Sequence, residues 1–424
     1  MLFKSFKLLQ LINSFHQNQE SLSKCHSSRL KEMVCYVLEN VDFWKELKNS
    51  YDSETLESII KGDISSLPII DKSTYKKNPR GYFLSNKINP DRCMSVRTSG
   101  ATGIPFEMLK TSRESKLMEL IFSRGMFMSG CHLFDSLMTV CCPYDFHKNS
   151  NLFSIIGLKR KKHVSAFLSM DKLIDEINNF RPKVLRAYAS TLLLLARFIE
   201  KKNVSIYPPK LVISGSDLLT REARSRIEEV LRTRIVDFYG TVETGNIAFE
   251  CKNCGHYHIN SDFLHVEFLK DGKPVNEGQR GEVVITSLFH RAKPLIRYAI
   301  GDRGEPAPLN RCSSTNMMSM KSIEGRLVDF IILPDDVEVS PYALTDTIKS
   351  VKGVEEFQAI QEDKRSLFVQ VVAKEVSGSK ISDGIREALY KLLGEEVKIE
   401  IEFIDEIKRY PGEKFRVVTS HVPR

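Results

Sequence analysis

Three short segments bring together residue types suited to holding phosphate. The first is "TSGATGIP", residues 98–105, which sets Thr98, Ser99 and Thr102 among the glycines Gly100 and Gly103. Glycines let a backbone approach a ligand closely, so successive N–H groups and the three hydroxyls could wrap phosphate oxygens. A surface turn has the same composition, and the Gly-Lys-Ser/Thr ending of a Walker loop is missing. The second is "DFYGTVETG", where a strand ends at Tyr239, Gly240 turns the chain and Glu243 follows just past the strand's C-terminal edge. Ligands of open α/β sheets sit at that edge. A carboxylate there could share Mg²⁺ with phosphate oxygens; a solvated turn glutamate is the plain alternative. The third is "RYAIGD", whose Asp302 could accept two hydrogen bonds from a ribose diol or simply close a turn.

A fourth segment, "ECKNCGHYHIN", has metal-ligand spacing. Cys251 and Cys254 form a C-x₂-C knuckle, His256 and His258 follow, and Cys312 in "NRCSSTN" could return as another ligand. Zinc prefers four thiolate or imidazole donors. Unbonded thiols are the alternative. The segment "PGEKFRVV" carries Lys414 close to the last residues of the sequence, where a lysine is ordinarily just solvated.

The elements that must position these residues can be read from periodicity. "DSLMTVCC", "VSAFLSM", "KVLRAYAS", "KLVISGS" and "RIVDFYGT" are predicted strands, interleaved with helices such as "STLLLLARFIEKK" and "LTREARSRIEEVLR", the latter capped by Thr220. That alternation predicts an α/β architecture with a parallel sheet. After Cys251, "LHVEFL", "GEVVITSL" and "PLIRYAIGD", joined by "KDGKP" and "NEGQRG", predict an antiparallel, β-barrel-like section. The last 95 or so residues read α, β, β, α, β, a small α+β unit.

Bulk properties narrow the class. A chain of 424 residues is expected to hold two or three domains. Its net charge of +8, from 62 basic and 54 acidic residues, is spread without a basic block, which argues against nucleic-acid binding. No apolar run is long enough for a membrane span. The first 15 residues predict an amphipathic helix rather than a signal peptide. Nine irregularly spaced cysteines do not form a disulfide framework, so a cytoplasmic location is expected.

Taken in order, the segments resemble the adenylate-forming ligase superfamily, in its phenylacetate–CoA ligase-like branch that includes capsule-biosynthesis proteins. "TSGATGIP" is similar to that superfamily's phosphate loop, "YGTVE" to Tyr-Gly-x-x-Glu, "YAIGD" to Tyr-x-x-Gly-Asp and "GRLVD" to the Gly-Arg-x-x-Asp hinge. "LPIIDKSTY", "VLRAYAS" and "ISGSDLL" extend the likeness over nearly the whole chain. The resemblance implies a large N-terminal ATP- and acid-binding adenylation domain of α/β subdomains (1–326) and a small mobile C-terminal lid (327–424). It implies activation of a carboxylic acid as acyl-AMP and transfer to a thiol, that of CoA; the alternative acceptors are a carrier-protein phosphopantetheine arm or a sugar or amine in capsule biosynthesis. A non-catalytic nucleotide-binding scaffold is the remaining alternative.

The implied roles follow the motifs. Thr98, Ser99, Gly100, Thr102 and Gly103 would hold the β- and γ-phosphates, Glu243 the Mg²⁺, and Lys414 the α-phosphate. Ser214, Gly215, Ser216, Tyr239, Gly240 and Thr241 would line the adenine pocket, Asp302 would bind the ribose, and Arg326 would assist. Tyr188 and His258 would border the acyl pocket. Some members of the branch carry a structural zinc on this knuckle and a later Cys-x-Cys; here Ser314 replaces the last cysteine, so the expected ligands are Cys251, Cys254, His256 and Cys312. The sequence departs from the pattern at Ile104, Val328 and Glu413, and a Gly-rich aryl-binding stretch is not evident in "MSGCHLFDSLMTVCCPYDFH", so phenylacetate is not the expected acid. A homodimer is left open.

Overall fold

A computed structural model describes residues 18–79, 81–97, 107–132, 134–141, 160–166, 168–217, 219–308, 312, 315–324, 331–339, 341–373, 378–405, 407 and 417–422. Thr98 to Gly103, Arg326 and Lys414 lie outside the described residues, as does the amphipathic segment expected at 1–15.

Four helices lead into the sheets: α1 (Gln19–Asn40), α2 (Asp42–Lys48), α3 (Ser53–Lys61) and α4 (Lys72–Lys77). Asx caps start three of them, with Asn18, Asp52 and Asp71 each accepting from a backbone N–H three residues on. A hairpin follows, β1 (Met94–Arg97) and β2 (Glu107–Lys110), paired so that Arg97 faces Glu107 and residues 98–106 form its connection. Helix α5 (Ser112–Met128) begins with a reciprocal capping box between Thr111 and Glu114.

The parallel strands then appear: β3 (Leu137–Cys141), β4 (Lys161–Ser165), β5 (Val184–Tyr188), β6 (Leu211–Gly215) and β7 (Ile235–Thr241). The connecting helices are α6 (Met170–Phe180), α7 (Ala189–Lys202) and α8 (Arg221–Leu231), and Thr220 caps α8 as its sequence implies. The antiparallel strands are β8 (Gly245–Glu250), β9 (Tyr257–Ile259), β10 (Leu264–Lys270), β11 (Lys273–Pro274), β12 (Gly281–Ser287), β13 (Tyr298–Pro306) and β14 (Ser319–Glu324).

The two textures read from the sequence are two halves of one sheet. Its twelve strands run β11-β10-β12-β13-β14-β9-β8-β7-β6-β5-β3-β4, parallel from β7 to β4 and antiparallel from β7 to β11. Strand β8 turns back on β7 immediately, which converts one pairing mode into the other. Gly240 and Gly245 permit that reversal: a Cβ on Gly240 would stand 2.4 Å from the Gly245 carbonyl oxygen, and Gly245 has φ +79°.

Residues from Ile331 build a separate layer. Short β15 (Ile331–Ile332) and β16 (Glu338–Val339) pair with each other, and a four-stranded sheet runs β19-β18-β17-β20, comprising β17 (Val354–Asp363), β18 (Ser366–Ala373), β19 (Lys398–Phe403) and β20 (Val418–Ser420). Helices α9 (Pro341–Ser350) and α10 (Gly378–Leu393) cover it, enclosing a core of Leu344, Phe357, Val369, Ile385 and Leu389. Among the described residues no helix is long and apolar enough to cross a membrane.

Candidate active site

The C-terminal ends of the parallel strands bring the expected site residues together. Ser214 and Gly215 end β6, Tyr188 ends β5, and Tyr239, Gly240 and Thr241 end β7. Ser216 adopts a left-handed φ of +74°, uncommon for a residue with a side chain. Beyond it Asp217 accepts from the Ala189 N–H at 2.6 Å and the Ser190 N–H at 2.8 Å, pinning the 214–216 turn to the start of α7 beside Tyr188. Burial pushes the Asp217 carboxyl up to about 6. Its place on the α7 N-terminus escaped the sequence reading, although "ISGSD" is visible there.

Glu243 follows β7 and is 3% exposed. Its Oε1 lies 2.8 Å from the Lys72 ammonium and accepts from the Tyr298 hydroxyl at 3.4 Å. Burial alone would raise this carboxyl, but Lys72 outweighs it and holds Glu243 below the usual carboxylate range. The Thr241 and Thr244 hydroxyls meet at 2.9 Å in the same turn. Lys72 is a site residue that periodicity did not single out, because helix α4 reaches Glu243 only through the fold.

Asp302 lies on β13, 8% exposed, and accepts from the Tyr239 hydroxyl at 2.9 Å. The residues expected for ribose and adenine are thus bonded neighbours. Strand β2, which follows residues 98–106 in sequence, is tied to this edge of the sheet. The ammonium of Lys110, on β2, donates at 2.5 Å to the carbonyl of Val242, next to Glu243, and that of Lys293 donates at 2.7 Å to the Glu107 carbonyl.

The second cluster lies on the β8–β9 turn. The Cys251, Cys254 and Cys312 sulfurs and a His258 ring nitrogen all lie within 4.8 Å of one another. Sulfurs of Cys251 and Cys312 are 3.7 Å apart, and Cys254 Sγ is 3.8 Å from His258 Nε2. A tetrahedral ion with metal–sulfur bonds of about 2.3 Å requires edges of about 3.8 Å, so this donor set fits zinc. Burial keeps the His258 imidazole neutral, its pKa lowered to about 4, in the form that ligates.

One expectation is corrected here. The donor cluster holds His258, and His256 does not stand in it. The cause is the turn: Gly255 takes φ +72°, the Cys251 N–H donates to the His256 carbonyl at 2.8 Å, and His256 serves through its backbone. The pairing of His258 with Phe249 then brings its ring back over the knuckle.

Known proteins resemble this chain over most of its length. Residues 331–421 match the family model described as the CapK C-terminal domain. The chain is 22% identical over 450 residues to "Protein CapK" of Staphylococcus aureus, covering 99% of this chain and 95% of that one. It is 26% identical to "Phenylacetate-coenzyme A ligase" of Escherichia coli strain K12, covering 94% of each. Over nearly its whole length the chain is thus similar both to CapK and to a phenylacetate-coenzyme A ligase. A solved 2-hydroxyisobutyryl-CoA ligase, in complex with 2-HIB-AMP and CoA, has the same fold, with a TM-score of 0.65, 16% identity, and coverage of 96% of this chain and 91% of that one.

Proposed function

We propose that this protein is an ATP-dependent ligase that activates a carboxylic acid as acyl-AMP and passes the acyl group to the thiol of CoA. The observation that carries the reading is the gathering of Glu243, Lys72, Asp302–Tyr239 and the Ser214–Ser216 turn at one edge of the parallel half-sheet, to which Lys110 ties strand β2. In the first step a carboxylate oxygen bonds to the α-phosphorus of ATP, and the bond from that phosphorus to the bridging oxygen breaks, releasing pyrophosphate. In the second a thiolate attacks the acyl carbon and AMP departs. Both steps bring anions together, so fixed positive charge is what the site must supply.

Glu243 would hold the Mg²⁺ that accompanies the nucleotide; one carboxylate plus phosphates and waters is the usual magnesium shell. Lys72 keeps Glu243 ionised and in place. Asp302 would accept from the ribose hydroxyls, with Tyr239 orienting it. Lys414 is assigned to the α-phosphate, Thr98 to Gly103 to the β- and γ-phosphates, and Arg326 to an assisting role; the segment 327–424 would be the lid that delivers Lys414. Tyr188 would border the acyl group. The resemblance of the motifs to capsule-biosynthesis proteins leaves a second reading of the last step, delivery to a carrier-protein thiol or to a sugar or amine in polysaccharide assembly.

The test is exchange of labelled pyrophosphate into ATP. Exchange is expected to require an added acid and Mg²⁺ and to fall by about 100-fold or more in Lys414→Ala, the scale on which charge stabilisation acts. A wide acid panel that gives no exchange while ATP still binds would remove the catalytic reading. CoA against a carrier protein as acceptor then separates the two forms of the second step.

We also assign a structural zinc to Cys251, Cys254, His258 and Cys312. About one equivalent of zinc is expected in the purified protein, lost in His258→Ala and retained in His256→Ala. The reverse pattern would overturn the ligand set.

A further inference from the structure

We infer that Tyr257 is a positioning residue that couples the cysteine–histidine knuckle to the nucleotide turn. The inference rests on the readings above of zinc at the knuckle and nucleotide at Ser214–Ser216. Its physical basis is a single buried carboxylate held from both sides. The Tyr257 hydroxyl donates to Asp237 Oδ2 at 2.8 Å, and the Ser214 hydroxyl donates to Asp237 Oδ1 at 2.5 Å. Asp237 is 8% exposed and Ser214 fully buried. A buried carboxylate is costly to leave with an open acceptor, so the two hydroxyls are tied to each other's positions through it.

Each end of this chain belongs to a different site. Tyr257 stands between His256, whose carbonyl closes the knuckle, and His258, a member of the donor cluster. Strand β9 has three residues and is held by short ladders to β8 and β14, so ligation of His258 would add the firmest restraint on Tyr257. At the other end, Ser214 opens the turn whose left-handed Ser216 and pinned Asp217 present the nucleotide face. Glu250 braces the middle: its Oε2 accepts from the Asp237 N–H at 3.1 Å and from Arg224 at 2.8 Å. Strands β6, β7, β8 and β9 thus carry one polar line from metal donors to nucleotide turn.

The test measures AMP affinity by calorimetry on the full chain, with zinc content read in parallel. Tyr257→Phe is expected to keep its zinc and its melting temperature within a few degrees, yet to bind AMP about 5- to 30-fold more weakly, the scale of one hydrogen bond to a buried charge. Stripping zinc from the wild type is expected to weaken AMP by a similar factor. Stripping it from Tyr257→Phe is expected to add little, because both act through Asp237. Ser214→Ala cuts the line away from the knuckle and serves if Tyr257→Phe folds poorly; it too is expected to keep zinc and to make AMP affinity indifferent to zinc. In exchange assays both variants are expected to raise KM for ATP with kcat little changed. Unchanged AMP affinity in both variants, or losses from mutation and zinc removal that simply multiply, overturns the coupling with the site readings intact. A wild type that binds no AMP, or takes up no zinc, overturns those readings and the coupling with them.

Discussion

Lys72 and Glu243 show how a single pair prepares the site. Both side chains are nearly out of solvent, 12% and 4% exposed, so the attraction between them is weakly screened. Removing one partner of such a pair leaves the other charge buried alone, which costs about 3 kcal/mol or more. Lys72→Ala is therefore expected to lower unfolding free energy in urea by about 3 kcal/mol at neutral pH. The sign with pH follows from Glu243, whose folded pKa lies below its ordinary 4.5. Its contribution is present above that value and is lost as pH falls through the folded pKa. Wild type and Lys72→Ala should thus converge as pH falls through the depressed folded pKa of Glu243, and should also draw together with saturating Mg·ATP, which supplies a replacement cation. A gap independent of pH would refute the pairing as the cause. Glu243 and Asp302 were legible because a strand end, a glycine and a carboxylate lie adjacent in sequence. Lys72 was not, because its role arises from a contact across the fold. The choice between His256 and His258 was beyond spacing alone, since residues two apart exchange roles according to how Gly255 turns the chain.

At the scale of elements, helix α1 depends on a histidine pair that periodicity gives no reason to notice. His26 Nε2 lies 2.9 Å from His265 Nδ1 on β10, while His26 Nδ1 lies 2.6 Å from the Ser261 carbonyl and Arg29 donates to the Asp262 carbonyl at 2.5 Å. Asp262 is in turn gripped by the buried Arg124 of α5, through nitrogen–oxygen distances of 2.7 and 2.8 Å. Burial, with His26 and Arg297 nearby, lowers the His265 pKa from 6.5 to about 4. A depressed histidine adds stability that is whole above pH 6.5 and drains away as pH falls toward 4, here roughly 2–3 kcal/mol. Acidification across that window is expected to loosen α1, seen as lower amide protection factors (observed against intrinsic exchange rates at each pH) over residues 19–40, and His265→Gln should flatten that dependence. Equal protection factors at pH 7 and pH 5 in the wild type would sink the idea. Helices and strands themselves were largely readable, from caps such as Thr220 and from apolar runs such as "KLVISGS". Their order in the sheet was not. Strand β14 enters between β13 and β9, and β8 reverses on β7, so that one sheet spans what looks like two textures. Those neighbours are chosen by packing between distant segments, which a local pattern does not encode.

The whole molecule has separate apolar cores, and this division bears on how the reaction would be staged. The clusters around Trp44 and Tyr298, around Leu185 and Val212, and around Phe238 and Phe249 draw only on residues before 331, while that around Phe357 and Val369 draws only on residues from Ile331 onward. A unit with its own sheet and its own core has the means to fold alone. Residues 327–424 expressed separately are expected to unfold cooperatively, and residues 1–326 to bind AMP with affinity within about 10-fold of the full chain, since Glu243, Asp302 and the Ser214–Ser216 turn all remain. Pyrophosphate exchange is expected to vanish from 1–326, because Lys414 is absent, and to return in part when the two pieces are mixed at high concentration. Restoration by mixing would place the missing charge on a body that can arrive from solution, as a lid does. Exchange retained by 1–326 alone would instead make Lys72, already beside Glu243, the cation that serves the α-phosphate, and would remove the C-terminal unit from the first step altogether.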